Sequence, residues 1–247
     1  MLPAMAGAFG WGTLAASSLL IGGVLAITID LKDRALGLVM AFGSGVLISA
    51  VAYELVQEAF EKAAGGGSIA AGFFAGALTF YVGDVLIDRM GGQGRKSMAG
   101  TQGSGSALAI VLGIVLDGIP ESIVIGVTLL DGNGVGLAVL AAVFLSNLPE
   151  AAAATTGLRT SGWTTARVMG LWALVVLVSG LSSLAGYGLF DGASPEALAF
   201  ILAYAGGAIL TMLADTLMPE AFEKGGAQAG LLTSVGFALA FALTTLE

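Results

Sequence analysis

Eight runs of about 20 predominantly apolar residues follow one another along this chain with little sequence between them. They read as 6–29, 35–57, 68–88, 106–130, 134–158, 165–189, 196–219 and 227–246. A bilayer's hydrocarbon core is about 30 Å thick, and a helix of about 20 apolar residues crosses it with every backbone polar group bonded internally. Charged residues make up only 11% of the 247 residues, against about 25% in soluble domains, so loops and a polar surface have little to draw on. The expectation is an all-α polytopic membrane protein with eight transmembrane helices in a single domain, residues 1–247. No Lys or Arg precedes Lys32, so the first run lacks the basic start of a secretory signal and reads as a permanent span. A multi-pass protein of the plasma (inner) membrane is expected.

The nine basic residues test the span count, because Lys and Arg collect in cytoplasmic connections. Alternate connections hold Lys32 and Arg34, then Arg89, Arg95 and Lys96, then Arg159 and Arg167, then Lys224, while the others hold only Lys62. That distribution predicts both termini outside. The connection 89–105, rich in Gly and Ser, reads as a flexible cytoplasmic linker. The chain has no Cys and no His, which excludes disulfides and thiolate sites and removes the commonest zinc ligand.

Two internal repeats stand out. "GVLISAVAYELVQEAFEK" at 45–62 aligns at an offset of 162 with "GAILTMLADTLMPEAFEK" at 207–224, sharing EAFEK in full. Spans two and seven run in opposite directions in the predicted topology, so this repeat is inverted, as in many secondary transporters. The second repeat joins spans four and five: Leu116, Pro120 and Glu121 recur at an offset of 29 as Leu145, Pro149 and Glu150. The short "DGNG" at 131–134 connects these spans, which makes them antiparallel neighbours.

Several of the seventeen acids fall inside apolar runs: Glu54, Asp117, Glu121, Glu150 and Asp215, with Glu58, Asp84 and Glu220 nearer the ends. Apart from Arg167, the third residue of the sixth run, no Lys or Arg lies within a run to neutralise them. A charge at the bilayer centre costs at least ~2.5–3.5 kcal/mol, so such acids require protons, water or cations. Asp117 with Glu121, Ser146 with Glu150, and Asn147 with Glu150 are spaced by three or four residues and share helix faces. Packed together, those faces offer three carboxylates, one amide and one hydroxyl, an oxygen ligand set for a cation. Pro120 and Pro149 remove the donors that would bond the Leu116 and Leu145 carbonyls, and a freed carbonyl is tolerated where it lines a cavity or meets an ion. The metal candidates are therefore Asp117, Glu121, Ser146, Asn147 and Glu150, followed by Glu54 and Asp215. Glu58 and Glu220, in EAFEK, read as charged helix ends at a membrane exit.

Eight spans, paired Pro-Glu motifs in spans four and five, and Pro219, Glu220 and Ala221 at the end of span seven resemble the ZIP family of divalent metal transporters. The resemblance covers essentially the whole chain. It implies a 3+2+3 arrangement, two inverted three-helix repeats around spans four and five, and a metal site midway across the membrane. It also implies movement of zinc, iron or manganese toward the cytoplasm, with the metal as substrate and no cofactor. Glu121, Glu150 and Asn147 match family positions. Asp117 and Ser146 stand where the family usually shows His or Gln, and oxygen donors suit harder ions such as manganese.

The expected partners are a divalent cation and the lipid bilayer, with a homodimer as a candidate assembly and no nucleic acid. A second function class is a proton-linked carrier of another solute, in which the same acids titrate. A third, an intramembrane protease suggested by "YVGD" at 81–84, lacks a matching second Asp motif, so no enzyme activity is expected.

Overall fold

A computed structural model describes residues 2–29, 32–63, 65–92, 106–131 and 134–244. Eight rods carry almost all of it: α1 (Leu2–Thr28), α2 (Asp33–Lys62), α3 (Gly66–Met90), α4 (Ser106–Thr128), α5 (Leu137–Thr160), α6 (Thr165–Phe190), α7 (Pro195–Gly225) and α8 (Gln228–Thr244). No strand forms among the described residues. Seven of the rods are long and apolar enough to cross a membrane. The 26-residue α6, for example, is about 39 Å long at 1.5 Å per residue. The eighth, α8, is apolar but only 17 residues long, about 25 Å, because it begins at Gln228 and residues 245–247 lie outside the described chain. Of the expected linker 89–105, residues 93–105 also lie outside it, and 88–92 continue α3 as a π-helical turn.

Two expected boundaries move. EAFEK at 58–62 and 220–224 remains helical and extends α2 and α7, so both rods run longer than the apolar runs suggested. Each copy closes on itself with an i,i+4 ion pair, Glu58 to Lys62 at 3.3 Å and Glu220 to Lys224. The second pair is not an exposed charged end, since both side chains are about 8% accessible.

The rods pack in two groups. In one, α2 lies along α8 and α3 along α7, and α2 crosses α7; in the other, α1 lies between α5 and α6, and α4 packs on α6. Contacts of α2 with α5 and of α7 with α4 join the groups. Every one of these pairings maps onto another, or onto itself, when α1 exchanges with α6, α2 with α7, α3 with α8 and α4 with α5.

Small residues make the crossings close, as expected where lipid removes the hydrophobic drive between helices. A β-carbon on Gly45 would run into the Thr233 carbonyl, and one on Gly207, 162 residues later, into the Phe73 carbonyl. One on Gly236 would meet the Phe42 carbonyl, and one on Gly76 the carbonyl of Tyr204, again 162 residues after Phe42. The offset relating α3 to α8 is 160, from Phe73 to Thr233 and from Gly76 to Gly236. The two long rods also share a backbone irregularity: π-helical turns occupy Ala50–Gln57 in α2 and Leu213–Leu217 in α7, which overlap under the same 162-residue offset. The rods are antiparallel, since Gly37 near the start of α2 abuts Lys224 and Gly225 at the end of α7, while Gly206 faces Val51 and Leu55 late in α2.

One core of interlocking aliphatic side chains, including Met40, Leu47, Leu55, Ile125, Leu202 and Leu217, runs through both groups. A smaller one surrounds Trp172, whose Nε1 donates to Thr155 Oγ1 at 2.8 Å and ties α6 to α5. Large apolar side chains such as Phe74, Leu78 and Leu189 point outward, a surface suited to lipid.

Candidate functional site

The matched motifs sit near the middle of α4 and α5, which touch each other over a limited contact. Both helices continue through their prolines, so the opening expected at Pro120 and Pro149 is a missing hydrogen bond and not a break in the rod. On α5 the consequence is visible. The Leu145 carbonyl, deprived of its donor by Pro149, lies 3.5 Å from where a β-carbon on Gly43 of α2 would stand, and Ser146 Cα lies 3.4 Å from the same point. The absent side chain at residue 43 brings the backbone of α2 against the altered turn of α5. On the other flank Gly22 of α1 faces the Leu148 carbonyl and Ala151. Span five is thus held between α1 and α2 at the depth of its proline.

On α4, Glu121 is 1% exposed, and its carboxyl interacts with the Asp117 charge one turn away. Asp117 is partly buried and its Oδ1 is shielded from solvent. Ser122 Oγ donates to the Gly118 carbonyl at 2.7 Å, beside Pro120. On α5, Ser146 and Asn147 are buried and Glu150 is partly buried. The Ser146 hydroxyl donates to the Val143 carbonyl at 3.2 Å, which leaves its lone pairs as acceptors. Between Ser106 and Leu158 the sequence carries no Lys or Arg.

The acids do not close into a ready-made cage. Among the described residues no three His, Cys, Asp or Glu side chains form a group that could hold a metal ion, so Asp117, Glu121 and Glu150 are not clustered around one point. A cation held here would take the Asp117 and Glu121 pair, or Glu150, together with neutral oxygens and water. Those neutral oxygens are at hand in Asn147, Ser146 and the Leu145 carbonyl.

The two further candidates lie elsewhere. Asp215, within the π-helical turn of α7, is exposed. Glu54, in the π-helical turn of α2, reaches the corner between α4 and α5: its Oε2 is 3.7 Å from where a Gly136 β-carbon would be, and Thr128 Cγ2 is 3.5 Å from that point. Sequence reasoning did not single out Gly43 or Thr128. The only signal for Gly43 was its position two residues before the 162-residue repeat, in a chain with 39 glycines. Asp84 is partly buried near the end of α3.

No protein-family model matches the chain, and no curated protein matches it.

Proposed function

We propose that this chain is a ZIP-like carrier that moves a divalent transition-metal cation, Zn²⁺, Mn²⁺ or Fe²⁺, across the membrane toward the cytoplasm. The Asp117 and Glu121 pair, or Glu150, together with Ser146, Asn147 and water, replaces part of the ion's hydration shell near mid-membrane. The observation that carries this reading is the pair of matched Pro-Glu turns on adjoining helices, with Glu121 fully buried and no basic residue on either helix near it. A buried acid without a basic partner is costly at this depth, and a cation is the ligand that relieves the cost. With no His, Cys or Met in the set, the donors are all oxygen, which favours the harder of these ions.

The proposal includes eight spans in a 3+2+3 arrangement of inverted repeats with both termini outside, in the plasma (inner) membrane. The antiparallel course of α2 and α7, the overlapping π-helical turns and the paired glycine crossings support the inverted repeat. Arg34 Nη2 donates to Gln228 Oε1 at 2.9 Å, so the Lys32–Arg34 and Lys224 connections share one end of the bundle, as the positive-inside reading requires. The partners are the cation and the bilayer, with a second copy of the chain as a candidate; the net charge of −8 disfavours nucleic acid. No enzymatic role is proposed.

The test is uptake into liposomes loaded with a metal-sensitive dye. Wild-type protein admits at least one of the three ions, and the Glu121→Ala, Glu150→Ala double variant does not; equal rates in both would overturn the proposal. That no three acids cluster among the described residues favours one alternative, a proton-linked carrier of another solute that uses the same acids as proton sites. On that reading no metal binds the purified protein even after soaking.

A further inference from the structure

Each π-helical turn carries one acid, but not at the same place: Asp215, the acid of the α7 turn, is exposed and stands one residue before the equivalent of Glu54. In α2 the turn carries Glu54, and the residue 162 positions later in α7 is Thr216, buried and neutral. Glu54 reaches across from one helix group to the other. Its carboxylate lies at Gly136, the residue immediately before the first turn of α5, and the Gly136 amide also donates to Thr128 Oγ1 at 3.4 Å at the end of α4.

The first turn of α5 calls for such a group. A helix N-terminus exposes four N–H groups without intrahelical partners and carries the positive end of the helix dipole. Most helices meet that demand locally, with a capping hydroxyl or carboxylate. Here residue 136 is glycine with no side chain to cap, and α5 has no acid in its first turn. The carboxylate comes instead from α2. Its Oε1 is shielded from solvent, where charge–dipole attraction is weakened little by water.

We infer that Glu54 is a clasp between the two helix groups, a carboxylate on α2 seated against the N-terminus of α5. Thr216, at the equivalent place in the other repeat, supplies no charge, so the clasp is one-sided. This rests on the carrier reading in one respect. If the two groups move against each other during transport, the end that Glu54 clasps is held shut at rest.

The chain's lack of cysteine makes the clasp measurable. Val139, in the first turn of α5, is 3% exposed. With Val139→Cys as the only thiol, the rate of maleimide labelling of the full chain in detergent reports how often this turn is uncovered. Adding Glu54→Gln raises that rate roughly five- to thirtyfold, the factor that corresponds to losing a partly buried charge–dipole contact. Adding Glu58→Gln leaves the rate unchanged, because that carboxylate pairs with Lys62 on its own helix. If Glu54→Gln does not yield folded protein, Glu54→Asp serves instead: retracting the charge by one methylene raises labelling by a smaller factor. An unchanged rate in the Glu54 variant, or an equal rise in Glu58→Gln, overturns the clasp. Labelling needs neither metal nor a vesicle, so loss of the carrier reading and loss of the clasp are separate results.

Discussion

The Leu145 carbonyl faces Gly43: no side chain stands between the proline-altered turn of α5 and the backbone of α2, and a β-carbon placed on residue 43 would be 3.5 Å from that oxygen. At this distance a methyl group fits, whereas a branched side chain does not. Gly43→Ala therefore retains uptake. Gly43→Val forces α2 away from α5, and overpacking of this kind costs about 1–3 kcal/mol, enough to lower uptake by about tenfold or more. Liposome flux measured beside a size-exclusion profile separates loss of transport from loss of folding.

Trp172 depends on Thr155 for its one hydrogen bond, in a pocket where both residues are fully buried. Thr155→Val keeps the volume and leaves the indole N–H without an acceptor. Hydrogen bonds between membrane helices are worth about 0.6–2 kcal/mol, so the thermal unfolding midpoint in detergent falls while the spectrum of the folded protein is retained.

The two copies of EAFEK give a paired experiment. Lys224→Met leaves the Glu220 carboxylate buried without its ammonium partner, and removing one member of a buried pair costs about 3–5 kcal/mol. Lys62→Met does the same to Glu58, where the side chains are 20% and 24% exposed and solvent screens the loss to about 0–1 kcal/mol. Denaturation of the two variants under one set of conditions measures the difference; equal destabilisation would contradict the burial of the second pair.

Pseudo-symmetry of the scaffold predicts matched damage. Gly45→Val and Gly207→Val each drive a side chain into a neighbouring carbonyl, at Thr233 and Phe73 respectively, and both abolish monodisperse folded protein. Gly170→Ala on α6, where a β-carbon meets nothing within 4 Å, is tolerated and stabilises by up to about 1 kcal/mol through helix propensity.

Much of this was legible in the sequence, for physical reasons. A helix in lipid needs an unbroken apolar run, so the spans are written out in composition, and EAFEK recurs visibly because charged residues are rare in such a chain. Pro120, Glu121, Pro149 and Glu150 were conspicuous for the same reason. The helical continuation of EAFEK was not legible, because Glu and Lys are good helix formers that also suit an interface. Nor were the π-helical turns, which need no particular residue, or the reach of Glu54 to Gly136, which depends on how α2 crosses the corner between α4 and α5. Spacing along one helix placed Asp117 beside Glu121 correctly. It could not decide whether Glu150 on the facing helix closes onto them, since that depends on the rotation of one rod against another.

The carrier account stands or falls on whether a cation binds between α4 and α5. Purified protein is equilibrated with Mn²⁺, Zn²⁺ or Fe²⁺, washed, and its metal quantified by elemental analysis, with anomalous scattering to locate the ion. The account predicts bound metal beside the Asp117 and Glu121 pair or beside Glu150, lost in the Glu121→Ala, Glu150→Ala variant. Metal-free wild-type protein, or metal retained by that variant, would contradict it.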